Sequence, residues 1–187
     1  VWDTRVQDYR VFVRATKRQW IKATSPAKAT HPAVMVNWED AQAFCVWLTE
    51  RDRSAGRLDA KERYRLPSDH EWSCAVGIGD QEDPGASPQS KRDKLSDLFP
   101  WGTAWPPPAG AGNFNDRSLQ EADPARTIIG GYQDGHARTS PVMGFAPNKF
   151  GLYDMSGNVW QWCEDEFAPN DGNRVMRGGS WGVSDRN

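Results

Sequence analysis

The first apolar positions to fall into register are Val6, Tyr9, Phe12 and Val13, spaced as one face of a helix. Thr4 and Gln7, three apart, form a capping box in front of them, so the pattern predicts a helix from about Arg5 to Ala15. Pro26 and Pro32 then punctuate a loop leading to the short apolar run Ala33–Val36. A second helix is predicted from Asn37, the N-cap, to about Arg53. Glu39 and Asp40 lie in its first turn, where negative charge suits the helix dipole, and Ala41, Phe44, Cys45 and Leu48 form its inner face. Tyr64–Leu66 reads as extended. Ser68-x-x-Glu71 is another capping box, opening a third helix over Asp69–Val76 with Trp72 and Ala75 inward.

Beyond this point the periodicity fades. Residues 77–98 are polar and rich in Gly, Pro, Ser, Asp and Lys, and residues 105–112 read WPPPAGAG; both are expected as mobile surface loops, the second with polyproline character. Short strands are expected around Trp160 and over Val175–Trp181. Trp160 and Trp162, two apart, would project to one face and anchor the first strand to the core. No internal repeat is present. The pattern predicts one α+β domain with much irregular structure.

Composition sharpens this picture. Of 187 residues, only 37% are hydrophobic, a fraction that raises the question of disorder. Ten tryptophans answer it, because each buries roughly 150–250 Å². A small Trp-rich core under long loops accommodates both facts. A formal net charge of −2 carries no electrostatic footprint for nucleic acid, and nothing approaches a membrane-spanning run. Three cysteines, Cys45, Cys74 and Cys163, have no CxxC spacing and are read as buried free thiols. His31, His70 and His136 lack ligand spacing and read as ordinary turn or helix residues. The acidic run Glu164–Glu166 is open to a metal or acid/base reading, with a solvated turn preferred.

The most informative words are GLYDMSGNVWQW, Gly151–Trp162, and RGGSW, Arg177–Trp181. The first has neither helical nor strand period, and its Gly157 and Asn158 both tolerate positive φ. It is therefore a compact turn whose backbone approaches something closely. In the second, Arg177, Gly178, Gly179 and Trp181 read as scaffold, with Trp181 filling the core. Together with HPAVMVNWEDAQAFCVWL (His31–Leu48), YRLPSDHEW (Tyr64–Trp72), FPWG (Phe99–Gly102) and GNFND (Gly112–Asp116), these words resemble, in order, the formylglycine-generating enzyme or sulfatase-modifying factor family.

That resemblance implies a C-type-lectin-like fold over residues 1–187, lacking the family's outermost N-terminal strand and C-terminal segment. It further implies two Ca²⁺ sites. The first would use Asn113, the carbonyl of Phe114, Asp134 and the carbonyl of His136. The second would use Asp154, the carbonyls of Gly157 and Val159, and Gln161, which stands where the family often has Glu. The alternative is that Asn113 and Asp154 stabilise turns through hydrogen bonds to backbone. In relatives with disulfides the partner of Cys45 would fall past this chain's end, which leaves Cys45 unpaired.

The family's oxidases hold Cu(I) with two thiolates, the ligand type that selects it. The first falls three positions beyond the Ser of the GGSW word, where this chain has Val183, and the second past Asn187. Valine has no lone pair, so no copper is expected. The resemblance thus implies a non-catalytic binding or regulatory module of a larger bacterial protein, taking a protein or small ligand without nucleic acid or membrane insertion. The alternative is an oxidase that converts a sulfatase cysteine to formylglycine. A binding face would run through Trp181, Gly182, Val183, Ser184, Asp185, Arg186 and Asn187, or these residues are simply a frayed end.

Overall fold

The computed structural model describes residues 1–21, 28–92, 94 and 97–184. Pro26 of the predicted loop and Asp185, Arg186 and Asn187 of the predicted face lie outside them. Among the described residues, five helices and a two-stranded sheet alternate with long irregular segments: α1 (Val6–Thr16), α2 (Trp38–Ser54), α3 (Asp69–Val76), α4 (Pro88–Lys91), α5 (Arg117–Ala122), β1 (Gln161–Glu166) and β2 (Arg174–Arg177). A single 3₁₀ turn, Gly79–Gln81, follows α3. The domain is α+β.

The local signals placed α1, α2 and α3, with one correction, and did not announce α4 or α5. The carboxylate of Asp8, not Gln7, reaches back to the backbone N–H of Arg5 at 3.3 Å, and the Arg5 guanidinium grips the same carboxylate at 2.7 Å. Thr4 is drawn away because its carbonyl accepts the Ala33 amide at 2.8 Å. It stays extended, and α1 begins one residue later. Asn37 caps α2 by accepting the Asp40 amide at 2.7 Å. Ser68 and Glu71 form their reciprocal box at 3.1 and 2.8 Å.

Three aromatic or apolar clusters make the core. Tyr9 and Phe12 of α1 meet Phe44 and Trp47 of α2 with ring centroids 5.5–5.7 Å apart. Such tilted and edge-on pairs add about 0.5–1.5 kcal/mol each beyond their buried area. The inner face expected for α2 is half-buried, while its fully buried residues are the polar Thr49 and Asp52. Asp52 is satisfied by Arg51, Arg57 and the Tyr64 hydroxyl. Trp72 and Val76 of α3 pack on Cys163 and Val175 of the sheet, and Ala75 is half-buried. Phe114, Ile129 and Tyr132 form the third cluster, with Trp101 and Trp105 against it.

β1 and β2 run antiparallel with Gln161 opposite Arg177 and Glu166 opposite Arg174, and the register is irregular between Trp162 and Glu166. Three expectations are corrected here. The acidic run Glu164–Glu166 is the second half of β1, not a turn. The second strand ends at Arg177, because Gly178 and Gly179 both take positive φ and turn the chain out of the ladder before Trp181. Trp160 precedes β1 and is exposed, so the two indoles do not share a buried face.

Indole N–H groups tie the irregular segments to the frame. Trp20 donates to the Val34 carbonyl at 2.9 Å, Trp38 to that of Cys163 at 2.9 Å, and Trp162 to that of Val36 at 3.0 Å. The last two form a reciprocal clasp between β1 and the segment entering α2. Residues 77–98, expected as a surface loop, instead carry α4 and bring Lys91 into the interior, where it meets Asp69 and Glu82. Residues 105–112 begin at a cis Trp105–Pro106 bond and end at the buried Gly112. No helix among the described residues is long and apolar enough to cross a membrane.

All three cysteines are free, but only Cys163 is fully buried. Cys45 is half-buried and Cys74 is exposed, which corrects the expectation of three buried thiols. Helical phase is the reason: Cys74 follows the inward pair Trp72 and Ser73 and faces out of α3. Burial pushes the Cys163 thiol up to about 12 and, aided by Glu164, raises that of Cys45. Since the thiolate is the nucleophile, iodoacetamide should label Cys74 first and Cys163 only on unfolding. Peptide mass spectrometry against labelling time reads this directly; early labelling of Cys163 would contradict the packing of β1 on α3.

Candidate functional site

The site grows from the turn at residues 151–158. Asp154, Gly157 and Asn158 all have positive φ, between 58° and 74°. Gly157 lies against the backbone of Asn113, and a Cβ there would overlap the Asn113 carbonyl. The close approach lets the Asn158 amide donate to the Asn113 carbonyl and the Gly157 amide to the Gly178 carbonyl, each at 2.7 Å. The Trp181 amide then donates to the Asn158 carbonyl at 3.0 Å. Three separated words, GNFND, GLYDMSGN and RGGSW, therefore meet at one point.

Around this point lie two buried polar clusters. In the first, Asn113 is wholly buried; its Nδ2 donates to the Arg138 carbonyl at 2.7 Å, and its Oδ1 is buried without a partner. Asp134 accepts the amides of Phe114 and His136, each at 2.8 Å. Burial, opposed by these two donors and aided by the nearby Asp116, pushes its carboxyl up to about 6. Asp116 orders the neighbourhood by capping α5 through Ser118 and Leu119 and by accepting the Asp134 amide.

In the second cluster, Asp154 accepts the Met143 amide at 2.8 Å through Oδ2, while its Oδ1 is buried without a partner. Gln161 is fixed in orientation. Its Oε1 accepts the Trp72 indole N–H at 2.7 Å, and its Nε2 donates to the Asp154 carbonyl at 3.1 Å and to Asp3 at 2.6 Å. Burial, eased by the Gln161 bond and reinforced by Asp154, pushes the Asp3 carboxyl up to about 7.

Both clusters suit a hard cation in one respect: each holds a buried oxygen with nothing to neutralise or hydrogen-bond it. Among the described residues no three His, Cys, Asp or Glu side chains converge in a metal-ligand grouping. A cation would therefore rest largely on amide and carbonyl oxygens: Asn113 and Asp134 with the carbonyls of Phe114 and His136, or Asp154 with those of Gly157 and Val159. Gln161, expected to lend its oxygen, turns a donor toward the second cluster. Among the histidines, His31 pairs with the Thr139 hydroxyl at 3.0 Å, His70 sits on α3 and His136 lies in the Asp134 turn.

The third feature is an open groove of about 1140 Å³. Its walls carry Phe99, Trp101, Trp105, Trp160 and Phe167. Phe99 and Trp101 stack with centroids 5.0 Å apart and planes 7° from parallel. Its floor is the ionic network of Asp69, Glu82, Lys91 and Arg177. Val183 and Ser184 also line it, and the Val183 carbonyl accepts the Asn115 amide at 3.1 Å. Trp181 lies half-buried behind them, with the Arg138 guanidinium 5.7 Å over its ring rather than in the core. The predicted face thus adjoins the groove through Val183 and Ser184. The groove's aromatic walls went unassigned in the sequence, although the FPWG word and Trp105 carried the signal.

Comparison with known proteins agrees with the meeting of the three words. Residues 4–187 match the sulfatase-modifying factor enzyme 1-like domain. The chain is 28% identical over 184 residues to inactive C-alpha-formylglycine-generating enzyme 2 of Bos taurus, covering 95% of this chain and 49% of that protein. It is 33% identical over 170 residues to the formylglycine-generating enzyme of Thermomonospora curvata, covering 88% of this chain and 45% of that one. The chain thus spans about half the length of these relatives. PvdO from Pseudomonas aeruginosa shares the fold, with a TM-score of 0.57 at 22% identity over 99% of this chain and 68% of that one. With the ordered words joined at one turn and a family match over almost its whole length, the chain belongs to the sulfatase-modifying factor enzyme 1-like domain family.

Proposed function

We propose that this domain is a non-catalytic binding module on a C-type-lectin-like frame, taking a protein or small ligand in the aromatic groove. The observation that carries the reading is Val183. It lines the groove at the position where the family's oxidases are expected to place a copper-binding thiolate, and its side chain offers no lone pair to a metal. Supporting it, Cys163 is enclosed in the core and Cys45 is half-buried on α2. The groove offers stacked rings and a polar floor, the composition that favours recognition through a few aromatic anchors. In this reading Ca²⁺ occupies one or both polar clusters and stiffens the turn behind the groove, with no nucleic-acid or membrane partner.

The test is turnover. The full-length protein would be incubated with Cu(I), O₂ and a peptide bearing the Cys-x-Pro-x-Arg sulfatase motif, and the peptide mass followed. The expected result is an unchanged cysteine. Conversion to the aldehyde would replace the binding reading with that of a formylglycine-generating oxidase.

A further inference from the structure

Asp3 is a half-buried residue whose carboxylate turns inward, with its Oδ2 buried. It belongs to the N-terminal segment that crosses the Asp154 turn, where the Tyr153 amide donates to the Val1 carbonyl at 2.9 Å. Its Oδ1 accepts Gln161 Nε2 at 2.6 Å, and its Oδ2 is buried without a partner. Asp154, only 7% exposed, likewise keeps its Oδ1 buried and without a partner. Gln161 joins the two, since its Nε2 also reaches the Asp154 carbonyl. Among the described residues no Lys, Arg or His forms an ion pair with either carboxylate.

Buried carboxylates need a compensating charge or must take up a proton. A hard divalent cation supplies the charge through oxygen ligands of the kind gathered here. Gln161 brings no charge; its Oε1 accepts from the Trp72 indole, and it turns its Nε2 donor toward Asp3 and the Asp154 carbonyl. We infer that Asp3 and Asp154 together hold one divalent cation of the Ca²⁺ type, Asp3 supplying the second negative charge that Gln161 lacks. This inference rests on the cation reading of the Asp154 turn and adds to it a ligand from the far end of the chain. It makes cation binding and docking of residues 1–4 a single event.

The experiment titrates Ca²⁺ into the EDTA-treated protein by calorimetry and by thermal melting, for the wild type, Asp3→Asn, Asp154→Asn and Asp134→Asn. Asp3→Asn and Asp154→Asn should each weaken the same binding component by about tenfold or more, given the dependence of such sites on ligand charge. Asp134→Asn should leave that component in place. In EDTA, Asp3→Asn should melt no lower than the wild type, because it removes an uncompensated buried charge. Wild-type affinity in Asp3→Asn with loss in Asp154→Asn would overturn the role of Asp3 and leave the cation reading standing. A wild type that ignores Ca²⁺ would remove both. Hydrogen exchange gives a readout free of any variant: saturating Ca²⁺ should slow the Tyr153 amide, and an unchanged rate would also overturn the inference.

Discussion

Replacing Gly157 with alanine should cost about 2–5 kcal/mol and should scatter the candidate site. Two terms add. Left-handed backbone, φ of 74° at this residue, costs an L-residue about 1–2 kcal/mol. The new Cβ would then drive into the Asn113 backbone, with its carbonyl carbon 2.9 Å and its nitrogen 3.0 Å away. Neither can retreat, because that backbone forms the bridge joining GNFND to the turn, and crowding of this sort costs a further 1–3 kcal/mol or so. Gly151 provides the control. It belongs to the same word and has the same φ of 74°, but nothing lies within 4 Å of a Cβ placed there. Gly151→Ala should lose only the backbone term. Urea denaturation of the two variants checks this, and equal losses would show that the close approach at residue 157 is not what requires glycine.

Lys91→Met is expected to be comparably severe, by about 3–5 kcal/mol, because it strands buried carboxylates. Lys91 is buried and pairs with Asp69 and with Glu82 at 3.1 Å. Arg177 approaches the same two carboxylates at 2.7 and 3.4 Å, and the Ser73 hydroxyl donates to Glu82 at 2.8 Å. Burial alone would lower the Lys91 ammonium, but the pull of Asp69 and Glu82 outweighs it and the group is raised. Burial likewise pushes Glu82 up, and Ser73, Lys91 and Arg177 together hold it below its ordinary value. A depressed carboxyl contributes stability above its unfolded value and loses it as pH falls. A raised ammonium contributes below its unfolded value and loses it as pH rises. The network is therefore worth most between the ordinary values of 4.5 and 10.5. The gap between wild type and Lys91→Met should narrow on acidification below that window. Arg117→Met, which breaks an exposed pair with Glu121, should lie within about 0.5 kcal/mol of wild type. A loss for Lys91→Met no larger than that would show that the floor of the groove is solvated.

The parts of this fold legible in the sequence are those decided within a few residues. Asn37 and the Ser68–Glu71 box declared α2 and α3 because a cap is satisfied locally. Thr4 and Gln7 misled by one position because a distant partner, Ala33, claims the Thr4 carbonyl. The turn at Asp154 was legible as a turn, and its resemblance to a known word supplied a list of ligands. Asp3 was not legible as a member of that cluster, since it meets Gln161 across 158 residues. The groove's floor was hidden for the same reason: α3, residues 77–98 and β2 each bring charges that look ordinary alone. Residues 77–98 read as loop because their composition is polar, yet burying Lys91 is what that polarity accomplishes. The groove's rings were visible in number, but only packing decides which indoles face outward.

The clasp between Trp38 and Trp162 bears on how such a domain can vary. In a sheet, a slip of one residue turns every side chain to the wrong side, so a long ladder resists insertion anywhere along it. An indole gripping a carbonyl imposes no such rule on the chain to either side. The frame here behaves like cloth held by a few stitches: the stitches must stay, while the cloth between them can lengthen, shorten or change its pattern. A two-stranded sheet pinned in this way can carry longer or shorter loops beside it without a shift in the register of β1 and β2.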